Sequence, residues 1–220
     1  MKMEIKIMKN ILDANQNKAE EIKKLLSQKK ILMINLIGAP GAGKTTLLEK
    51  TILSLGKRFR MAVIEGDIAT DIDARRLQPL GIPIVQINTD GACHLESTTI
   101  LKAFDEFDLT DLDLVFVENV GNLVCPAEFD IGEYAKIAIS SVTEGEDKPL
   151  KYPLLFREAK ALLLSKTDLM PYTDFDKTGF YKNVKNINAE LPVFEISCKK
   201  NIGMELWINW LTQITARIKK

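Results

Sequence analysis

Between Gly38 and Thr46 the chain reads GAPGAGKTT, which matches G-x-x-x-x-G-K-[ST] at every fixed position. Glycines at this spacing let the backbone N–H groups of Gly41, Ala42, Gly43, Lys44, Thr45 and Thr46 curl around phosphate oxygens. The N-terminus of the following helix adds its partial positive charge. Lys44 is expected to reach the β- and γ-phosphates of a triphosphate, and the Thr45 hydroxyl to ligate its Mg²⁺. An apolar run before the motif (Ile31–Ile37) and a helical pattern after it (Thr45–Leu55) give the strand-to-helix context that this chemistry requires.

A Mg²⁺-bound triphosphate also needs carboxylates beside the cradle. The run Met61–Glu65 leads into Gly66 and Asp67, and Leu114–Val117 leads into Glu118. Ligands of open α/β sheets bind outside the carboxyl ends of the strands, so these acids emerge on the phosphate side. Asp67 and Glu118 are therefore expected to hold the metal or orient the attacking water, with Lys44 as the third catalytic group. Asp71 and Asp73 follow in the next loop. Asp73 is taken as a further Mg²⁺ ligand, against the plainer reading of both as surface or capping carboxylates.

The base is read further along. Ala161–Leu164 ends in Ser165-Lys166-Thr167-Asp168, close to the N-K-x-D signature with which GTPases recognise guanine. Asp168 would accept from the guanine ring N–H and the exocyclic amine together, while the Lys166 stem lies over the base. Adenine lacks those donors and would leave Asp168 unpaired. Ser197, Cys198 and Lys199 follow the last apolar run, where such proteins present a backbone N–H to guanine O6. Ser165 departs from the usual asparagine, which braces this loop, and implies weaker guanine binding.

Gly91-Ala-Cys93-His94-Leu-Glu is expected to open a helix after the third strand, and His94 is the only histidine of the chain. Cys125 lies a few residues beyond Glu118. Thiolate and imidazole together suit Zn²⁺ or Ni²⁺. Neither C-H nor a lone C-P is a metal motif, however, and two buried inert cysteines with a helix-start histidine explain the same residues. Three ligands are also one short of a closed tetrahedral zinc site, which a second subunit could complete.

The elements that must position these groups are legible as pattern. Apolar runs at Ile31–Ile37, Met61–Glu65, Ile82–Ile87, Leu114–Glu118, Lys136–Val142, Ala161–Ser165 and Val193–Ser197 are near-continuous rather than alternating, as strands covered on both faces are. With helical segments between them they predict an α/β fold: a doubly wound, mostly parallel sheet of about seven strands. Residues 1–30 are read as an amphipathic N-terminal helical region, with Ala19, Ile22, Leu25 and Leu26 on one stripe, and residues 31–220 as one nucleotide-binding domain. The closing helix, Ile202–Lys219, carries Trp207 and Trp210 as core. Thirty basic residues balance thirty acidic ones, so neither nucleic acid nor an anionic membrane is expected as partner. Three scattered cysteines and the lack of a signal-like or membrane-spanning run point to the cytoplasm.

Taken together, GAPGAGKTTLLEK, EGDIATDIDARR, DGACHLES, VFVENVGNLVCPAEFDIGE, SVTEGEDKPLKYP, SKTDLMPY and ISCKKNIGMELWINWL resemble the hydrogenase nickel-incorporation GTPases, from about Ile31 to the C-terminus. The resemblance implies a dimerising P-loop GTPase with slow turnover, binding GTP and Mg²⁺ together with Ni²⁺ or Zn²⁺. It implies that Cys93, His94 and Cys125 form a metal site at a homodimer interface, and that Lys148 contacts nucleotide across the dimer. The partners implied are other hydrogenase maturation factors and the hydrogenase large-subunit precursor. Some members carry an N-terminal cysteine motif or histidine-rich stretch; residues 1–30 hold neither. A urease-type nickel GTPase, a metal scaffold that binds nucleotide without turnover and an ATP-dependent partitioning-type switch are the alternatives.

Overall fold

The structure, a computed structural model, describes residues 2–219, with side chains from residue 13 onward. Its elements run α1 (Lys2–Lys29), β1 (Leu32–Gly38), α2 (Lys44–Leu55), β2 (Met61–Asp67), α3 (Ile72–Leu77), β3 (Ile84–Asn88), α4 (Ser97–Ala103), β4 (Leu114–Glu118) and α5 (Cys125–Glu128). There follow β5 (Ala135–Ser141), α6 (Lys148–Lys151), α7 (Pro153–Glu158), β6 (Ala161–Ser165), α8 (Lys177–Ile187), β7 (Val193–Glu195) and α9 (Met204–Ile218). The seven strands form one sheet in the order β3-β2-β4-β1-β5-β6-β7, and every pairing is parallel. The expected "mostly parallel" sheet is thus parallel throughout among the described residues.

The apolar runs are continuous because both sheet faces are covered. Leu32, Ile34 and Leu36 of β1 pack on the α2 and α9 side with Leu48, Trp207 and Leu211. Met33 turns the other way, toward Ile22 of α1 and Ile100 of α4. Ile37 joins Phe156 of α7 and Phe180 of α8 farther along that face. Trp207 is core as expected, with Nε1 donating to Thr51 Oγ1 at 3.0 Å, while Trp210 is half-buried and stacks on it at the core's edge. The N-terminal helix reaches back to Lys2, well before the stripe that announced it. The last strand stops at Glu195 rather than Ser197, because Ser197 pairs instead with Ile202 in a turn that leads into α9. No helix among the described residues is long and apolar enough to cross a membrane.

One buried ion network ties the sheet to the closing helix. Asp113 accepts from the Arg60 backbone N–H at 2.8 Å and from the Arg60 guanidinium at 3.2 Å, and it pairs with Lys219. Burial alone would raise its pKa, but the hydrogen bonds from Arg60 and Lys219 outweigh it and hold the carboxyl at about 2. A depressed native pKa contributes stability above the unfolded value, lost as pH falls from about 4 toward 2. Arg60 and Lys219 are half-exposed, which screens the gain to about 1 kcal/mol. Asp113→Asn is expected to lower unfolding free energy by about 1–2 kcal/mol near neutrality and to flatten that acid limb. Urea unfolding across the pH range checks it; an unchanged limb would remove Asp113 from the account.

Candidate functional site

β1 lies in the middle of the sheet, between β4 and β5, so the turn that leaves it opens at the centre of the carboxyl edge. Gly41 (φ 75°) and Gly43 (φ 97°) are left-handed, a conformation that glycine adopts without penalty and that curls the loop back over its own N–H groups. Lys44 is the first residue of α2; its Nζ is nearly buried and lies 3.4 Å from the carbonyls of Gly38 and Ala39. Thr45 Oγ1 donates to Glu118 Oε1 at 2.9 Å.

The acids of the cleft come from two adjacent strand ends. β2 and β4 pair with Glu65 directly beside Glu118, and Asp73 of α3 joins them, so that one oxygen of each lies within 4.8 Å of the others. Burial, then the charges of Glu118 and Asp73, push the Glu65 carboxyl far up. Burial likewise raises Glu118, against the opposing pull of Lys44 and Thr45. The Oε2 atoms of both are buried without a hydrogen-bond partner. Oxygen ligands crowded at this spacing, with two orphaned and Lys44 beside them, suit a hard divalent ion such as Mg²⁺.

Glu118 and Asp73, both expected as ligands, are thus brought together here, and Asp67 lies in the same cleft lining. Asp67 Oδ1 accepts from the N–H groups of Ala69 and Thr70 at 3.0 and 3.2 Å, and these bonds lower its pKa. It lines the cleft but braces its own turn. Asp71 pairs with Arg75 on the outside. Glu65, which closes the run Met61–Glu65, was not among the expected ligands, although the signal that marked Glu118, an acid closing an apolar run, is present there too.

The base-reading segment stands at the other side of the cradle. Ser165 is buried and its hydroxyl donates to the Ala42 carbonyl at 2.6 Å, so the loop is still braced against the phosphate turn with serine in place of asparagine. Lys166 takes a left-handed conformation (φ 57°) and lines the cleft. Asp168 accepts from Ser197 Oγ at 2.6 Å, which holds its carboxyl below the usual range. Lys199 is exposed, while Cys198 is half-buried near Met204, its thiol pushed up to about 11 by burial. Lys148 opens α6, with Nζ 5.9 Å from the Tyr152 ring, outside the cleft lining.

The cysteines and the histidine converge. Cys93 Sγ lies 2.9 Å from Cys125 Sγ and 3.6 Å from His94 Nδ1, and the three ligand atoms are all within 4.8 Å of one another. The alternative of two buried inert cysteines does not hold: Cys93 is exposed and Cys125 half-buried. Nor does His94 begin a helix. α4 starts at Ser97, whose N–H and hydroxyl are taken by Asn15, and Cys93 and His94 sit in the loop before it. The His94 ring packs on Phe129, and burial lowers its pKa against Glu96 and Glu128. A neutral imidazole and two thiols on one exposed edge form a donor set for a borderline or soft ion, with a coordination position left for another group.

Residues 32–195 match the family model described as "CobW/HypB/UreG, nucleotide-binding domain". The chain is 46% identical over 207 residues to hydrogenase maturation factor HypB of Azotobacter chroococcum, covering 94% of this chain and 68% of that one. Among solved structures it is similar to hydrogenase maturation factor HypB from Archaeoglobus fulgidus, at a TM-score of 0.87 and 34% identity, covering 93% of this chain and 100% of that one. It is equally similar to HypB from Helicobacter pylori in complex with nickel, at a TM-score of 0.87 and 37% identity, over 93% and 96% of the two chains.

Proposed function

The chain belongs to the CobW/HypB/UreG nucleotide-binding family, and on that premise we propose that it is a GTP-hydrolysing metallochaperone assisting nickel insertion into [NiFe]-hydrogenase. One observation carries the reading: Cys93, His94 and Cys125 converge as a donor set, with Cys125 on the segment that leaves the nucleotide cleft at Glu118. The nickel complex of the Helicobacter pylori relative supports the choice of ion.

In this reading GTP lies across the cradle with its phosphates on the N–H groups of Gly41 to Thr46 and its base between Lys166 and Asp168. The Ser197, Cys198 and Lys199 backbone faces the guanine carbonyl. Thr45 and Glu118, with Asp73, Asp67 and Glu65 close by, would hold Mg²⁺, which would supply positive charge against the negative charge developing on the phosphate oxygens. Lys44 stabilises the same charge from the opposite side, and a carboxylate at the strand ends orients the attacking water. The products are GDP and inorganic phosphate.

Nickel is cargo rather than catalyst. Three donors from one protomer leave coordination open, so a second copy completes the site in a homodimer, where Lys148 reaches the partner's nucleotide. Hydrolysis then alters the loop from Glu118 to Cys125 and releases the ion to other maturation factors and the hydrogenase large-subunit precursor. Nickel affinity and light scattering, each measured with GDP and with a non-hydrolysable GTP analogue, test the coupling. Different affinities and a larger particle with the analogue are expected. Equal affinities and equal oligomeric states would sink it.

A further inference from the structure

The two carboxylates at the heart of the cleft, Glu65 and Glu118, stand side by side on neighbouring strands. One residue beyond each, the chain touches the same neighbour. A Cβ added to Gly66 would stand 2.7 Å from Leu95 Cδ1, so only glycine lets Leu95 pack onto the end of β2. Asn119 Oδ1 accepts from the Leu95 backbone N–H at 3.2 Å. Leu95 is buried and follows His94 directly.

The Asn119 amide is held from every side. Its oxygen also accepts from the Val120 N–H at 3.0 Å, and its Nδ2 donates to Asn35 Oδ1 at 3.1 Å. Two backbone donors must face the oxygen, so the amide has one orientation. From Asn35 the network runs to Glu133 Oε1 at 3.2 Å, which Lys136 approaches at 3.8 Å. Lys136 Nζ donates to the Ala127 carbonyl at 2.6 Å, inside the short helix that opens with Cys125. One buried side chain is thus bonded toward both halves of the metal-ligand set, while its backbone is joined to Glu118.

The intervening loop is seated separately. A Cβ on Gly121 would lie 2.8 Å from Pro40 of the phosphate loop. Asn122 Nδ2 donates to the Cys93 carbonyl at 3.1 Å, and its Oδ1 accepts from Val124 N–H at 2.9 Å. Asn122 therefore ties the two cysteine loops to each other, without reaching the carboxylates.

We propose that Asn119, acting on Leu95 together with Gly66, is the positioning residue through which the nucleotide-site carboxylates set the geometry of the Cys93–His94–Cys125 site. The inference rests on the switch reading above. A shift of Glu118 toward a bound cation carries Asn119 by one peptide link, and the Leu95 N–H must follow or lose this buried acceptor. Contiguity alone does not establish coupling; a change in the nucleotide dependence of metal binding does.

The test uses Ni²⁺ as probe, in competition with a chromogenic chelator, with GDP and with a non-hydrolysable GTP analogue. Wild type is compared with Asn119→Ala, Gly66→Ala and Asn122→Ala. The wild-type affinity ratio between nucleotides is expected to fall in the range of about 5–150-fold. Asn119→Ala and Gly66→Ala should compress it to within about 2-fold, with folding checked by thermal melting. Asn122→Ala should weaken Ni²⁺ binding with both nucleotides and keep the ratio. If Asn119→Ala does not fold, Gly66→Ala carries the test from the other strand. Ratios preserved in both folded variants would overturn the role of Asn119 and leave the switch standing. A wild-type ratio of one would overturn the switch itself, and this inference with it.

Discussion

Lys44→Ala is expected to slow phosphate release from saturating Mg²⁺-GTP by about 10²–10³-fold, with the fold intact. The Lys44 ammonium is nearly buried and already tethered to the carbonyls of Gly38 and Ala39. It stands at the mouth of a helix N-terminus among the backbone donors of a left-handed turn. A preorganised charge of that kind costs no reorganisation when negative charge builds on the transferring phosphoryl group, and low-dielectric surroundings strengthen it. Alanine removes it and also takes away a side-chain cation that acts on both Glu118 and Glu65. Single-turnover release of inorganic phosphate measures the loss directly. Because the bond broken is the same in both proteins, the rate ratio reads transition-state stabilisation. A variant as fast as wild type would mean that the phosphates sit elsewhere. Phosphate release by neither protein would instead favour a nucleotide-binding scaffold without turnover.

How far the sequence alone leads to this site depends on the range over which each part is encoded. The phosphate turn is local: glycine at 41 and 43 is demanded by backbone angles within the turn itself, so the motif and the geometry coincide. The strands were legible for a similar reason, since continuous burial on both faces leaves an uninterrupted apolar run. Their ends were less so. Ser197 leaves the ladder for a bridge to Ile202, and no propensity within the strand announces that choice.

The acids divide along the same line. Glu118 is legible as a charge closing the run LVFVE, whereas Glu65 closes MAVIE with the same signal and was not singled out beside Asp67. What distinguishes them is register: Glu65 stands beside Glu118 across the ladder, and the turn of Ala69 and Thr70 claims Asp67. Register between β2 and β4 is a tertiary property that neither segment carries. The metal donors are the far case. Cys93 and Cys125 are separated by a helix and a strand, and the chain between them holds no spacing rule for a ligand set. Likeness to a family pointed to them before the fold brought the thiols to 2.9 Å. The start of α4 was misplaced for a related reason: Ser97 is fixed as its first residue by Asn15, far away in the chain.

Asp168 is where base identity should be decided, and Asp168→Ala is expected to weaken GTP by about 10²–10⁴-fold while ATP binding changes little. Ser197 donates to one carboxylate oxygen and holds the side chain below the usual carboxylate range, so it is ionised at any ordinary assay pH. Guanine offers an adjacent ring N–H and amine, and a carboxylate takes both as charge-assisted bonds of about 1.5–3 kcal/mol each. Adenine presents an acceptor at the corresponding ring nitrogen, so the same carboxylate faces a lone pair. Alanine therefore removes the attraction for one base and the penalty for the other, and preference collapses from both directions. Asp168→Asn separates the two effects, because its amide keeps the volume but aims a donor where guanine also donates. Competition of GTP and ATP against a fluorescent guanine nucleotide gives both constants. If Asp168→Ala retained the wild-type preference for GTP, the base would have to be read by another segment. The brace from Ser165 to Ala42 would then be a structural tie alone, with no base-reading pair to hold against the cradle.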